Sequence, residues 1–351
     1  MLLLFHDSRR RSCKVNGLRD AIYSNEAERG LNILVTGGAG FIGSHVCKAL
    51  SECGYLPVTY DNLSRGHRIS VKWGPLEIGD IADLGRIRTV LEQYQPVAIM
   101  HFASFAYVSE SVERPMLYYR NNIAGSLALL KAVIDYKPLP FVFSSSCAIY
   151  GNSNFVPITE DHPKNPINPY GYSKLVIEQM IMDLGKAHRF PWIALRYFNA
   201  AGCDPGGELG ERHDPETHLI PLVLTAALRG TSVQIFGADY NTPDGTCIRD
   251  FVHVTDIAHA HVLALQCLLA GGESRALNLA NARGYSVREV IATAADISRR
   301  EILVDVRPRR PGDPAALVGS ALRARAELGW ISQRATLNIQ IADAWNWLGA
   351  S

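Results

Sequence analysis

What this 351-residue chain lacks narrows its function before any motif is read. It has no excess of charge of either sign: 35 lysines and arginines face 34 aspartates and glutamates, a formal net of +1. A chain so balanced has no bulk attraction for a phosphate backbone, so no nucleic acid partner is expected. Its seven cysteines are odd in number and scattered, and none forms a C-x-x-C pair. That pattern argues against a disulfide framework and a cysteine zinc site; it fits a reducing compartment, and a cytoplasmic location is expected. No apolar run approaches the roughly 18–20 residues of a membrane span, so no membrane partner is expected. There is no internal repeat and no low-complexity tract. What is present is ordinary globular material, 47% hydrophobic and 20% charged, enough to bury one large core or two.

Residues 1–30 stand apart. The apolar Leu2–Phe5 precedes the basic Arg9, Arg10, Arg11 and Lys14, the reverse of a secretory signal. A disordered extension is expected there, outside the fold. From Leu31 onward, short apolar runs alternate with helical periods. Ile33–Val35, Pro57–Tyr60, Leu76–Ile78, Val97–Phe102, Phe141–Phe143 and Trp192–Leu195 read as strands, and Leu84–Gln93, Pro115–Tyr136 and Tyr170–His188 as helices. Repeated β-α-β with uninterrupted apolar strands predicts an α/β fold, a Rossmann-like doubly wound parallel sheet. After Asn199 the texture changes to a Gly, Asp, Pro, Glu and His-rich stretch, 202–217, then shorter elements. The expected division is a dinucleotide-binding domain over 31–200 and a smaller α/β substrate domain over 201–351, with some segments returning to pack on the sheet.

Two constellations carry chemistry. Thr36-Gly37-Gly38-Ala39-Gly40-Phe41-Ile42-Gly43 follows the first strand and opens a helix. Glycines at 37, 40 and 43 permit a tight turn, close approach to a pyrophosphate and close helix packing, while the helix N-terminus favours the anion. Asp61 ends the second strand, where a carboxylate accepts from ribose hydroxyls and repels a 2′-phosphate, so NAD is favoured over NADP. The second constellation is Tyr170 and Lys174, four apart on one helix face, with Ser146 at a strand end upstream. A free phenol has a pKa of about 10. A neighbouring ammonium and an oxidised nicotinamide are expected to favour the phenolate, with the serine hydroxyl relaying the proton.

The segments TGGAGFIGSH, YDNLS, GDI, HFA, SSSCAIYG, NPYGYSK, RYFNAAG, DGTCIRDFVHV and RRPGD occur in order from residue 36 to 313. Together they resemble the extended short-chain dehydrogenase/reductase family, and within it the nucleotide-sugar 4-epimerases, most closely those that interconvert UDP-glucose and UDP-galactose. The resemblance covers essentially all of 31–351. It implies tightly held NAD, a UDP-sugar substrate and a 4-keto intermediate, with Tyr170 as base, Ser146 as relay and Lys174 on the nicotinamide ribose. Gly37, Gly40, Phe41, Ile42, Gly43, Asp61, Asn62, Asp80, Ile81, Phe102, Ala103, Asn121, Ser144 and Phe198 then fall at cofactor positions, with Tyr170 and Lys174. Ser146, Tyr170, Asn199, Leu219, Phe236, Arg249, Arg310, Asp313 and Leu317 fall at substrate positions. Two guanidiniums suit a diphosphate and a carboxylate suits a ribose diol. A homodimer paired through Pro115–Tyr136 and Tyr170–His188 is implied as well.

Three positions depart from the pattern. Ala106 stands where some such enzymes carry a lysine that reaches the cofactor, and Ala148 where a threonine is common. Leu317 replaces a bulky tyrosine, which predicts room for an N-acetylated hexose. Rival readings within the resemblance are a 4-epimerase of UDP-N-acetylglucosamine, UDP-xylose or UDP-glucuronate, a 4,6-dehydratase, and an NAD-binding regulator without catalysis. Cys147 and Ala148 supply no carboxylic acid beside Ser146, which argues against dehydration. Retention of Ser146, Tyr170 and Lys174 together argues against the regulator. Glu211, His213, Glu216 and His218 read as polar loop residues beside a cleft, Cys147 as a small buried residue, and no metal is expected.

Overall fold

The computed structural model describes residues 31–153, 155–310 and 313–350. The extension expected at 1–30 lies outside the described residues. The first half of the chain is built on β1 (Asn32–Thr36), α1 (Phe41–Glu52), β2 (Leu56–Asp61), β3 (Leu76–Ile78), α2 (Leu84–Tyr94), β4 (Ala98–His101), α3 (Gly125–Tyr136), β5 (Phe141–Ser146), α4 (Pro169–His188) and β6 (Trp192–Tyr197). These strands form one parallel sheet in the order β3-β2-β1-β4-β5-β6. The sequence order reverses on either side of β1, so the carboxyl ends of β1 and β4 open the crevice that such sheets use for ligands.

The reason for the layering is visible in β1 itself. Ile33 and Val35 point to one face, where they meet Val46 and Leu50 of α1. Leu34 points to the other, against Ile99, Leu129 and Ile181. All three are at most 1% exposed, and each such side chain contributes about 1.5–3 kcal/mol on burial. A strand covered on both faces needs an apolar run rather than an alternating one, which is what the sequence supplies.

The second half adds β7 (Asn199–Ala201), α5 (Leu219–Arg229), β8 (Ser232–Phe236), β9 (Ile248–His253), α6 (Val254–Leu269), β10 (Arg275–Leu279), β11 (Gly284–Ser286), α7 (Val287–Ser298), β12 (Leu303–Arg307), β13 (Ala316–Leu317) and α8 (Leu337–Ala350). The sheet does not stop at β6: β10 pairs with it in parallel as a seventh strand. Helix α6 carries Ile257, Leu265 and Leu268 into the same core as Ile33 and Val35. The remainder encloses a second core, in which Ile220, Val223 and Leu224 of α5 meet Val290 of α7 and Ile341 of α8. Strand β9 pairs with β7, β11 and β13, and β8 with β12. Pro115–Tyr136 is helical as its period predicts, with a π-helical turn at Tyr119–Ala124.

Candidate active site

Both constellations open onto one cleft of about 1430 Å³ between the carboxyl ends of the parallel strands and the second half of the chain. Ligand pockets usually hold about 300–1,000 Å³, so this one has room for two ligands. Its floor is the glycine turn. Gly37 has φ +73, and a Cβ there would sit 2.5 Å from the backbone nitrogen of Ala103. At Gly43 a Cβ would lie 2.2 Å from the carbonyl oxygen of Gly37. Any side chain at either position would push the turn off the strand or the helix off the turn. Helix α1 starts at the Ncap Gly40, which offers no side-chain cap, so its first N–H groups are left for an anion.

Asp61 ends β2 with its carboxylate fixed by two backbone donors, Ala39 N to Oδ2 at 3.1 Å and Leu63 N to Oδ1 at 2.8 Å. Each oxygen keeps a lone pair for a ribose hydroxyl. Burial holds this carboxyl above the usual range, and the two N–H groups oppose that. Gly37, Gly40, Phe41, Ile42, Gly43, Asp61, Asn62, Ile81, Phe102, Ala103, Asn121, Ser144 and Phe198 all line the cleft. Asp80 is not among the residues that line it. Its carboxylate accepts from Asn62 Nδ2 at 2.9 Å and from Ala82 N at 2.8 Å, so it orients the Asn62 side chain.

Ser146 ends β5 and is 7% exposed; Lys174, on α4, is 2% exposed. Helix α4 begins where the chemistry needs it: Asn168 caps it, accepting from Gly171 N at 2.9 Å, and Pro169 takes the first position. Tyr170 follows at once and lines the cleft with Ser146. Lys174, one turn on, donates to Ser144 O at 2.9 Å, with its ammonium 5.8 Å from the Tyr170 ring centre. Burial pushes the Tyr170 phenol up to about 12, and the neighbouring Ser146 hydroxyl opposes it. Burial also pushes the Lys174 ammonium down to about 7. The sequence leads us to expect Lys174 and an oxidised nicotinamide together to lower the phenol. In the protein itself burial is the largest influence on each group, and it penalises both ions.

Helix α4 is locked to the sheet by a residue pair that motif reading passed over. Glu178, one turn beyond Lys174, takes Arg196 in bidentate fashion, Nε to Oε1 at 2.9 Å and Nη2 to Oε2 at 2.6 Å. Arg196 Nη1 also donates to Tyr150 Oη at 2.9 Å, and Tyr150 Oη donates to Asn278 Oδ1 at 2.7 Å. The chain of contacts joins α4, β6 and β10. Asn122 was missed too: its side chain bonds Phe105 N and O and Ser173 Oγ at 2.9–3.0 Å. A charged residue inside an apolar strand, Arg196, was the available signal.

On the facing wall, Asn199, Leu219, Phe236, Arg249, Arg310, Asp313 and Leu317 line the cleft. Arg249 is held by Asp313 and by the carbonyls of Ile248 and Pro314, each at 2.9 Å. Arg310 is exposed, with its guanidinium 3.8 Å above the centre of the Phe236 ring. Asn199 Nδ2 donates to Asp250 O at 3.0 Å.

The model of the NAD-dependent epimerase/dehydratase family matches residues 33–280. The chain belongs to the NAD-dependent epimerase/dehydratase family. It is 48% identical to a UDP-glucose 4-epimerase of Rhizobium leguminosarum bv. trifolii over 91% of this chain and 97% of that one. It is 49% identical to a UDP-glucose 4-epimerase of Rhizobium meliloti, covering 90% and 96%. Among solved structures, the UDP-glucose 4-epimerase from Brucella ovis in complex with NAD superposes with a TM-score of 0.88 at 49% identity, covering 91% and 99%.

Family membership gives the cleft its cofactor, NAD, and the glycine turn, bare helix N-terminus and oriented Asp61 fit a dinucleotide. The departures also fall on the cleft: Ala106, Ala148 and Leu317 all line it. Ala148 N donates to Ser146 Oγ at 3.2 Å, so this position orients the serine through its backbone. Cys147 is 8% exposed, and burial pushes its thiol up to about 12, which leaves it no thiolate for catalysis.

Proposed function

We propose that the protein interconverts UDP-glucose and UDP-galactose by inverting C4′ of the sugar through a 4-keto intermediate. One observation carries this reading: Ser146, Tyr170 and Lys174 meet at the carboxyl end of β5, beside a glycine turn shaped for a dinucleotide. NAD, held by the glycine turn, Asp61 and Lys174, would supply the acceptor and donor of the C4′ hydride and a positive charge in the site. Tyr170, as phenolate, removes the 4′-hydroxyl proton with Ser146 as relay, and later gives it back. Lys174 holds the cofactor ribose, and its ammonium supports the phenolate. Arg249 and Arg310 hold the diphosphate, and Asp313 serves both as the partner of Arg249 and as an acceptor for a ribose hydroxyl. No acid stands beside Ser146 to expel water, because positions 147 and 148 are cysteine and alanine; this favours epimerisation over dehydration. The test is to incubate purified protein with UDP-galactose and no added NAD. UDP-glucose is the expected product, and absence of turnover would contradict the reading.

Leu317 favours a second activity on UDP-N-acetylglucosamine, since it borders the cleft beside Arg249 in the β9–β13 register. Leu317→Tyr should abolish that activity and spare UDP-glucose; equal loss of both would refute it. We also propose a homodimer in the cytoplasm. Met116, Leu127, Tyr172, Val176 and Met182 leave large apolar surface exposed on the helices around α3 and α4, which supports cover by a second copy. Light scattering should give twice the chain mass. No helix among the described residues is long and apolar enough to cross a membrane.

A further inference from the structure

The sequence reading assigned Glu211, His213, Glu216 and His218 to a polar loop. In the fold their donor atoms gather within 4.8 Å of one another. His218 Nδ1 lies 2.8 Å from Glu211 Oε1 and 3.0 Å from Glu216 Oε1; His213 Nδ1 lies 3.1 Å from Glu211 Oε1 and 3.7 Å from Glu216 Oε2. Zinc bonds to nitrogen and oxygen of about 2.0–2.1 Å place tetrahedral ligands about 3.3 Å apart, which these separations bracket.

An ion-pair cluster explains the arrangement less well. His213 Nδ1 is buried, yet it forms no hydrogen bond despite its nearness to the Glu211 oxygen. Groups that face a common point come close without pointing at each other. His218 Nδ1 carries at most one proton, and two carboxylates approach it together. A divalent cation satisfies all four and cancels both carboxylate charges.

The supporting contacts are those of a metal site. Glu216 Oε1 accepts the backbone N–H groups of Thr217 and His218, each at 2.7 Å, which fixes its carboxylate and leaves Oε2 turned toward His213. Four residues separate the histidines in sequence, within the usual zinc-ligand spacing. The Tyr107 ring packs edge-on to His213 at 5.5 Å and against His218 at 6.1 Å, and Phe41 packs edge-on to His213 at 6.4 Å.

We propose that Glu211, His213, Glu216 and His218 form a tetrahedral zinc site that staples the loop between β7 and α5 into one shape beside the cleft. Four protein donors leave no open position for water or substrate, so the ion is structural. It closes the loop on itself and orients the two imidazoles that Tyr107 and Phe41, more than a hundred residues away in sequence, pack against. The proposal does not depend on the sugar chemistry.

The experiment measures metal in the full-length protein, dialysed against metal-free buffer and then supplied with zinc at micromolar concentration. About one zinc ion per chain is expected by elemental analysis, with a higher Tm than the chelator-treated protein. Glu216→Gln and His218→Ala should each lower zinc affinity roughly tenfold or more, with bound NAD retained as the check on folding. Cobalt in place of zinc should give the intense ligand-field bands of a tetrahedral centre. A wild-type protein that takes up no zinc, or whose Tm ignores it, overturns the proposal. Full zinc affinity in both variants, or an octahedral cobalt spectrum, overturns it as well.

Discussion

The two walls of the cleft are built on different terms. The catalytic wall is set by the ends of long parallel strands and by α4, with Ser146 and Lys174 almost wholly buried and the Glu178–Arg196 pair behind them only 7% and 3% exposed. The facing wall comes from short strands and loops, with Arg310 exposed and Arg249 held by a single carboxylate and two carbonyls. The difference follows from the work of each. A proton relay tolerates little displacement, so its parts sit on rigid, packed elements. A nucleotide sugar must enter, turn and leave, so its holding groups sit on the less constrained side.

Substitutions on the catalytic wall should therefore cost rate or stability, and those on the facing wall should cost affinity. Tyr170→Phe tests this most strongly: kcat should fall about 10²–10⁴-fold, the scale of general acid–base catalysis, with bound NAD unchanged by absorbance. An undiminished kcat would remove Tyr170 from its role. Glu178→Gln leaves a buried guanidinium uncompensated, and denaturant unfolding should register a loss of about 3–5 kcal/mol. Were that variant as stable as the parent, the rigid anchoring of α4 would be wrong. Gly37→Ala places a Cβ in a left-handed backbone position against the backbone at residue 103. It should destabilise the protein by about 1–3 kcal/mol and lower its NAD content. Smallest is Arg310→Ala: loss of the stacked cation, worth about 0.5–2 kcal/mol, should raise KM for the UDP-sugar and leave kcat alone. A kcat effect there would blur the contrast between the walls.

Much of the catalytic wall was legible in the sequence because its signals are local. The glycine turn, Asp61 at a strand end, and Tyr170 four residues before Lys174 each follow from one or two elements of known geometry. Asn168 and Pro169 announce the start of α4 in the same way. Arg196, Glu178 and Asn122 were less legible, since each acts through partners 17 to 51 residues away. Asp80 shows another kind of relation: its motif is plain, and the fold adds that its carboxylate accepts from Asn62 at the edge of the cleft. The burial of Tyr170 and Lys174 was not legible, because spacing reveals a neighbouring charge but not how far both groups are withdrawn from water.

The sequence by itself determined the parallel sheet, the dinucleotide turn and the serine–tyrosine–lysine set, since each depends on short-range periodicity and on residues whose backbone demands are fixed by their own chemistry. Only the tertiary structure decided how the facing wall is assembled, that β10 and α6 return to the first sheet, and that four loop side chains converge on one point. Those outcomes depend on long-range closure of the chain and on the sharing of buried space, which no local pattern encodes.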